Sequence, residues 1–119
     1  MDLYHQNIID HYKTPSNYGE MKGYSLVRAE YNPTCGDRLV LYMKLDENRV
    51  VDVSFTGSGC AISMAAASML TEVIKGKTIE EVLDISKEGI LEMLCTSINA
   101  GRLKCALLAW TGVREMLKP

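Results

Sequence analysis

Apolar residues recur every four positions near the start of the chain, where Tyr4, Ile8 and Tyr12 fall on one side of Leu3–Tyr12. That spacing predicts a short helix, and Pro15 and Gly19 punctuate its end. From residue 27 the period drops to two. In Val27–Tyr31, Val27, Ala29 and Tyr31 alternate with Arg28 and Glu30. In Arg38–Asp46, Leu39, Leu41, Met43 and Leu45 share a face, and in Arg49–Thr56, Val51, Val53 and Phe55 stand against Asp52 and Ser54. Period two is the mark of half-buried strands. Asp46-Glu47-Asn48 supplies turn residues between the last two. The expectation is an antiparallel meander with one face covered by helices.

The period changes again at Ala61. Ala61–Lys75 is rich in Ala, Met and Leu, all good helix formers, and stops at Gly76. Thr78-Ile79-Glu80-Glu81 matches a capping box, with Thr78 as N-cap and Glu81 three residues on. It opens a short helix through Val82 and Leu83. A further helix is expected from Ser86 or Lys87 to about Cys95, and Asn99-Ala100-Gly101 breaks the chain. The last helix carries Leu103, Ala106, Leu107, Trp110, Val113 and Leu117 on one face. Strands first and helices after predict an α+β fold, a three-stranded antiparallel sheet packed against about five helices.

Composition narrows the function classes. With 119 residues the chain is expected to form one domain, 1–119. Hydrophobic residues at 47% and charged residues at 24% are globular values. The net charge of −2 lacks the basic excess of a nucleic-acid binder. The most apolar stretch, Cys60–Leu70, is interrupted by Ser63 and Ser68, whereas a membrane span needs about 20 apolar residues. The N-terminus carries Asp2 and Asp10 and no apolar run of the secretory kind. A cytoplasmic, reducing compartment is therefore expected. There, the four cysteines are metal ligands, nucleophiles or core residues rather than disulfide partners.

Three of those cysteines sit at element boundaries. Cys35 lies in the loop Asn32-Pro33-Thr34-Cys35-Gly36-Asp37, Cys60 follows Gly57-Ser58-Gly59 before the long helix, and Cys105 lies near the start of the last helix. Such junctions converge at one end of a layered domain, where chemistry is usually placed. Helix N-termini favour thiolates, and Lys104 adds a charge beside Cys105. The separations of 25 and 45 residues match no zinc-finger spacing. Spacing alone leaves a thiol site and a metal site both open. Cys95, flanked by Met93 and Leu94, reads as a core residue.

Together the motifs resemble the iron–sulfur cluster assembly scaffold family, the IscU and SufU proteins. Tyr4, Ile8-Ile9-Asp10-His11-Tyr12, Pro15, Asn17 and Gly19 are similar to the family's opening. Asn32-Pro33-Thr34-Cys35-Gly36-Asp37, Gly57-Ser58-Gly59-Cys60-Ala61-Ile62-Ser63 and Arg102-Leu103-Lys104-Cys105-Ala106 are similar to its three cysteine motifs, in order. The resemblance implies a site of Cys35, Asp37, Cys60 and Cys105. It implies a [2Fe–2S] cluster, sulfur received as persulfide from a cysteine desulfurase, and delivery to apo iron–sulfur proteins. Replacing one thiolate by a carboxylate loosens a corner of the usual four-thiolate set, and the same four residues suit tetrahedral Zn²⁺.

Three departures qualify the resemblance. Lys104 stands where IscU-type scaffolds have histidine, as in SufU-type proteins, and is expected to act electrostatically on sulfur or to pair with Asp37. Asn99-Ala100-Gly101-Arg102 stands where IscU-type proteins carry a Pro-Pro chaperone-recognition stretch. The extra segment of SufU proteins between the second and third cysteines is missing. The alternative function is therefore a zinc-dependent sulfurtransferase, in which one thiolate leaves the metal to accept persulfide, with Cys105 and Lys104 as the reactive pair. His5 and His11 lie far in sequence from the cysteine motifs and read as surface or capping residues. The resemblance makes the helix face with Asp10 and His11 a contact for the desulfurase.

Overall fold

The computed structural model describes residues 3–94 and 98–118. Helix α1 (Leu3–Lys13) is followed by strands β1 (Leu26–Asn32), β2 (Asp37–Asp46) and β3 (Arg49–Ser58). Then come α2 (Ala61–Ile74), α3 (Ile79–Leu83), α4 (Lys87–Leu94), a 3₁₀ turn (Ala100–Arg102) and α5 (Leu103–Leu117). The strands form an antiparallel sheet in the order β1-β2-β3. The predicted meander and its helical cover are thus present. Cys95 lies outside the described residues, as does its expected place in the core.

The core forms where the sheet meets α2 and α5. Leu39, Leu41 and Met43 from β2 and Val53 and Phe55 from β3 are buried against Met64, Ala67, Leu70 and Ile74 of α2 and Leu108, Ala109 and Val113 of α5. Burial of a Phe55-sized side chain is worth about 3–5 kcal/mol against truncation to alanine. Helix α2 is buried on almost every side, which explains a sequence apolar all round rather than along one stripe. Its Ala65 and Ala66 let α1 lie close, and Ile8 fills the contact with Met69.

Two strand phases differ from the periodicity. In β1 the inward residues are Leu26, Glu30 and Asn32, while Val27 and Tyr31 point out, Tyr31 being 63% exposed. Here β1 meets α5 at Gly112, where an added Cβ would lie 2.8 Å from Glu30 Cγ. The long stem of Glu30 fills that contact and its carboxylate pairs with Arg28 at 2.5 Å. In β3, Val50 is buried and Val51 exposed. Lys44 pairs with Asp52 but Leu45 with Val50, so Val51 is the extra residue of a bulge that resets the alternation.

The buried stripe of α5 is also rotated from the predicted one. Cys105, Ala106, Leu108, Ala109, Gly112 and Val113 face inward, with Leu103, Leu107 and Trp110 half-buried on the flank. Small residues set this orientation: a Cβ on Gly112 would meet Leu41 Cδ1 at 2.5 Å. Hydrophobic spacing gives such residues little weight. The rotation carries Cys105 into the interior at the end of the sheet.

Candidate metal centre

The first thiol is presented by a tight connection. Asn32 and Asp37 are register partners at the ends of β1 and β2, so Pro33–Gly36 must reverse the chain in four residues. Gly36 takes φ +71°, a backbone conformation that favours glycine. Cys35 is left exposed at the outside of this turn, while Asp37 begins β2 with 0% of its surface accessible.

The second and third thiols come from helix starts. Cys60 is the N-cap residue of α2, half-buried, and its own side chain caps nothing. Asp37 instead secures the helix start from the neighbouring strand: Oδ1 accepts the Cys60 N–H at 2.9 Å and the Ser63 hydroxyl at 3.2 Å. A carboxylate at a helix N-terminus is favoured by the helix dipole. The fit depends on Gly59, since an added Cβ there would lie 2.5 Å from Asp37 Oδ1 and 2.6 Å from Ser63 Oγ. Cys105, in the first turn of α5, has no accessible surface.

These residues converge. One ligand atom each from Cys35, Asp37 and Cys105 lies within 4.8 Å of the others. The Cys60 thiol lies outside this group and reaches it through Cys105, which interacts with Asp37, Cys35 and Cys60. Burial pushes the Cys105 thiol well above its ordinary range, and its contacts with Asp37 and the other two thiols push the same way. For Asp37, burial opposes ionisation, but hydrogen bonds from Cys105, the Cys60 N–H, Asn32 and Ser63 outweigh it and hold the carboxyl below its usual range. Three sulfurs and one carboxylate oxygen form a donor set that suits tetrahedral zinc and three corners of an iron–sulfur cluster.

Sequence reasoning did not single out a cation that acts on the thiols. Arg102, on the 3₁₀ turn, lies within interaction reach of the Cys60 thiol, and that contact together with the fields of Cys60, Cys105 and Cys35 raises its pKa. Its sequence signal is its place at the start of the Arg102–Ala106 motif, three residues before Cys105. Asn32 and Ser63 were also missed as site residues. Lys104 is exposed on the rim of a groove of about 530 Å³ lined also by Tyr31, Pro33, Leu107 and Trp110. The partners of Asp37 are Asn32, Cys60, Ser63 and Cys105, not Lys104. His11 is committed elsewhere. Its Nδ1 lies 2.6 Å from Ser68 Oγ and its Nε2 3.9 Å from Glu72, where α1 meets α2. His5 is exposed on α1.

The model of the NifU-like N terminal domain matches residues 3–118. The chain belongs to this family, which holds the IscU and SufU proteins. It is 45% identical to the zinc-dependent sulfurtransferase SufU of Bacillus subtilis, covering 95% of this chain and 88% of that protein. It is 36% identical to the iron–sulfur cluster assembly scaffold protein IscU 1 of Archaeoglobus fulgidus, covering 97% of this chain and 74% of the relative. Among solved structures, a SufU from Fervidobacterium islandicum, described as a putative iron–sulfur cluster assembly scaffold for the SUF system, superposes with a TM-score of 0.85 at 29% identity over 95% of both chains. No helix among the described residues is long and apolar enough to cross a membrane.

Proposed function

We propose that this chain is an assembly scaffold for a labile [2Fe–2S] cluster, which it builds with sulfur from a cysteine desulfurase and delivers to apo iron–sulfur proteins. The observation that carries the reading is the convergence of the Cys35 and Cys105 thiols on the buried Asp37 carboxylate, with Cys60 reaching the group through Cys105 and Cys35 open to solvent. Cys35, Asp37, Cys60 and Cys105 would hold the iron. Cys35 alone is exposed, while Cys105 is sealed in the interior. Incoming sulfur is therefore expected to reach Cys35 first. Its thiolate attacks the outer sulfur of the desulfurase persulfide, a new S–S bond forms on Cys35, and the desulfurase thiolate leaves. Each sulfur so delivered needs two electrons from a separate reductant to become sulfide. The exposed Arg102 offsets part of the negative charge that three thiolates and Asp37 bring together.

A second reading is zinc-dependent sulfur transfer. The likeness to the Bacillus subtilis sulfurtransferase favours it, and so does the guanidinium of Arg102 at Cys60. In that case Zn²⁺ is the resident group. It offsets the charge of the ligand thiolates, Arg102 steadies the thiolate of Cys60, and Lys104 stands at the rim to attract an anionic persulfide. Anaerobic purification with an absorption spectrum and metal and sulfide analysis separates the two. Visible bands with iron and inorganic sulfide support the scaffold. One zinc per chain without colour, and no cluster after reconstitution with iron and sulfide, replaces it with the second reading.

A further inference from the structure

Asn32 is a buried polar residue, 4% exposed, at the last position of β1. Both of its recorded side-chain bonds go to candidate ligands. Nδ2 donates to Asp37 Oδ2 at 3.2 Å and reaches Cys105 Sγ at 3.6 Å. One NH₂ group has two hydrogens, and here each has its own acceptor. The opposite amide orientation would set a carbonyl oxygen against the carboxylate, so chemistry fixes which way the amide points.

We propose that Asn32 is a positioning residue of the metal centre, whose side-chain amide holds the Asp37 carboxylate and the Cys105 sulfur in one fixed relation and thereby sets how tightly the site grips a metal ion. This rests on the reading of Cys35, Asp37, Cys60 and Cys105 as the donor set.

The division of labour on Asp37 carries the argument. Oδ1 is held from the α2 side by the Cys60 N–H and the Ser63 hydroxyl. Oδ2 is held from the β1 side by Asn32, and the Cys105 thiol also bonds this carboxylate. Without Asn32 the carboxylate keeps its Oδ1 anchor and its contact with Cys105 but loses the donor that fixes Oδ2 from the strand. Cys105 loses its amide donor in the same step. The bond to sulfur strengthens once a metal displaces the thiol proton, because the acceptor is then an anion.

The placement suits this task. Asn32 is directly opposite Asp37 in the strand register, so both sit on the sheet rather than on the Pro33–Gly36 turn. From there the amide reaches across to the first turn of α5. A single side chain thus ties together β1, β2 and α5, the elements that carry two of the four ligands. Partners of metal ligands at this remove typically affect affinity 10- to 100-fold.

The test uses Asn32→Leu, which keeps the branched side-chain shape and removes both donors, and Asn32→Thr, which keeps one hydroxyl donor. Cobalt(II) is titrated anaerobically into the full chain as an optical probe, Zn²⁺ affinity is measured by chelator competition, and melting of the metal-free proteins is recorded. The expected result for Asn32→Leu is a 10- to 100-fold loss of Zn²⁺ affinity and altered cobalt ligand-field bands, with a smaller loss for Asn32→Thr. Cobalt spectra and Zn²⁺ affinities equal to wild type would overturn the proposal. Equal affinity losses in both variants, with wild-type cobalt bands and equally lowered metal-free melting, would do the same by assigning Asn32 to packing. Wild-type protein and Cys35→Ser, titrated in parallel, keep the two readings apart. If wild type binds no cobalt at one per chain, the metal-centre reading fails. If it binds and the Asn32 variants match it, only the role of Asn32 fails.

Discussion

Replacing Asp37 by alanine removes the acceptor of hydrogen bonds from Asn32, Cys60, Ser63 and Cys105 at a position with no solvent access. The Cys60 N–H and the Asn32 amide are left without their partner, which costs about 1–3 kcal/mol for a buried donor. Asp37→Ala is therefore expected to lower the stability of the metal-free protein by that amount in urea unfolding and to weaken Zn²⁺ binding by about 10-fold or more. Unchanged values on both would remove Asp37 from the site. Gly57 gives a second prediction at this scale. It adopts φ +150°, and an added Cβ would stand 2.1 Å from the backbone oxygen of Arg38 across the sheet. That oxygen belongs to the paired strand and cannot step aside without breaking the ladder. Gly57→Ala is expected to cost about 2–4 kcal/mol, read as a drop in melting temperature. A neutral substitution would mean that β3 bends more freely than its pairing implies.

At the scale of elements, the helices are joined by polar contacts with separable effects. The Thr78 hydroxyl accepts the Glu81 N–H at 3.2 Å, and the Glu81 carboxylate accepts the Thr78 N–H at 2.9 Å. These bonds, the Thr78 backbone first, hold Glu81 below its ordinary range. A lowered folded pKa means that Glu81 stabilises fully above its unfolded value of about 4.3, and that this contribution fades as pH falls through the folded value. Thr78→Ala is expected to cost about 1 kcal/mol at neutral pH, and the gap from wild type is expected to narrow below about pH 4. A gap independent of pH would show that the carboxylate adds nothing. His11→Ala removes the contacts with Ser68 and Glu72 that pin α1 on α2. Faster amide exchange across Leu3–Lys13 with unaltered Zn²⁺ affinity is expected, and a loss of affinity would bring α1 into the metal site. Legibility in the sequence follows the same physics. Strands with one clean buried face, such as β2, and the capping box of α3 could be read directly. The phases of β1 and β3 could not, because Glu30 buries only its stem beside Gly112 and the bulge at Val51 is set by pairing. The candidate ligands were legible through their motifs. Arg102, Asn32 and Ser63 were not, because their roles exist only once three elements meet.

For the whole molecule, the layered packing turns three distant motifs into one end of a sheet. Asn32 and Asp37 arrive on the ends of β1 and β2, Cys35 on the turn between them, Cys60 at the start of α2 and Cys105 at the start of α5. The core beneath them is apolar and continuous from β2 and β3 into α2 and α5, so the donors are held by rigid elements and only Cys35 stands free on a turn. The central claim is that Cys35, Asp37, Cys60 and Cys105 together hold one metal centre. X-ray absorption at the zinc edge of the zinc-loaded protein tests it most directly. The account predicts three sulfur neighbours at about 2.3 Å and one oxygen at about 2.0–2.2 Å, with one sulfur lost in each Cys→Ser variant at positions 35, 60 and 105. A first shell with fewer than two sulfurs, or one that none of the three substitutions alters, would contradict it.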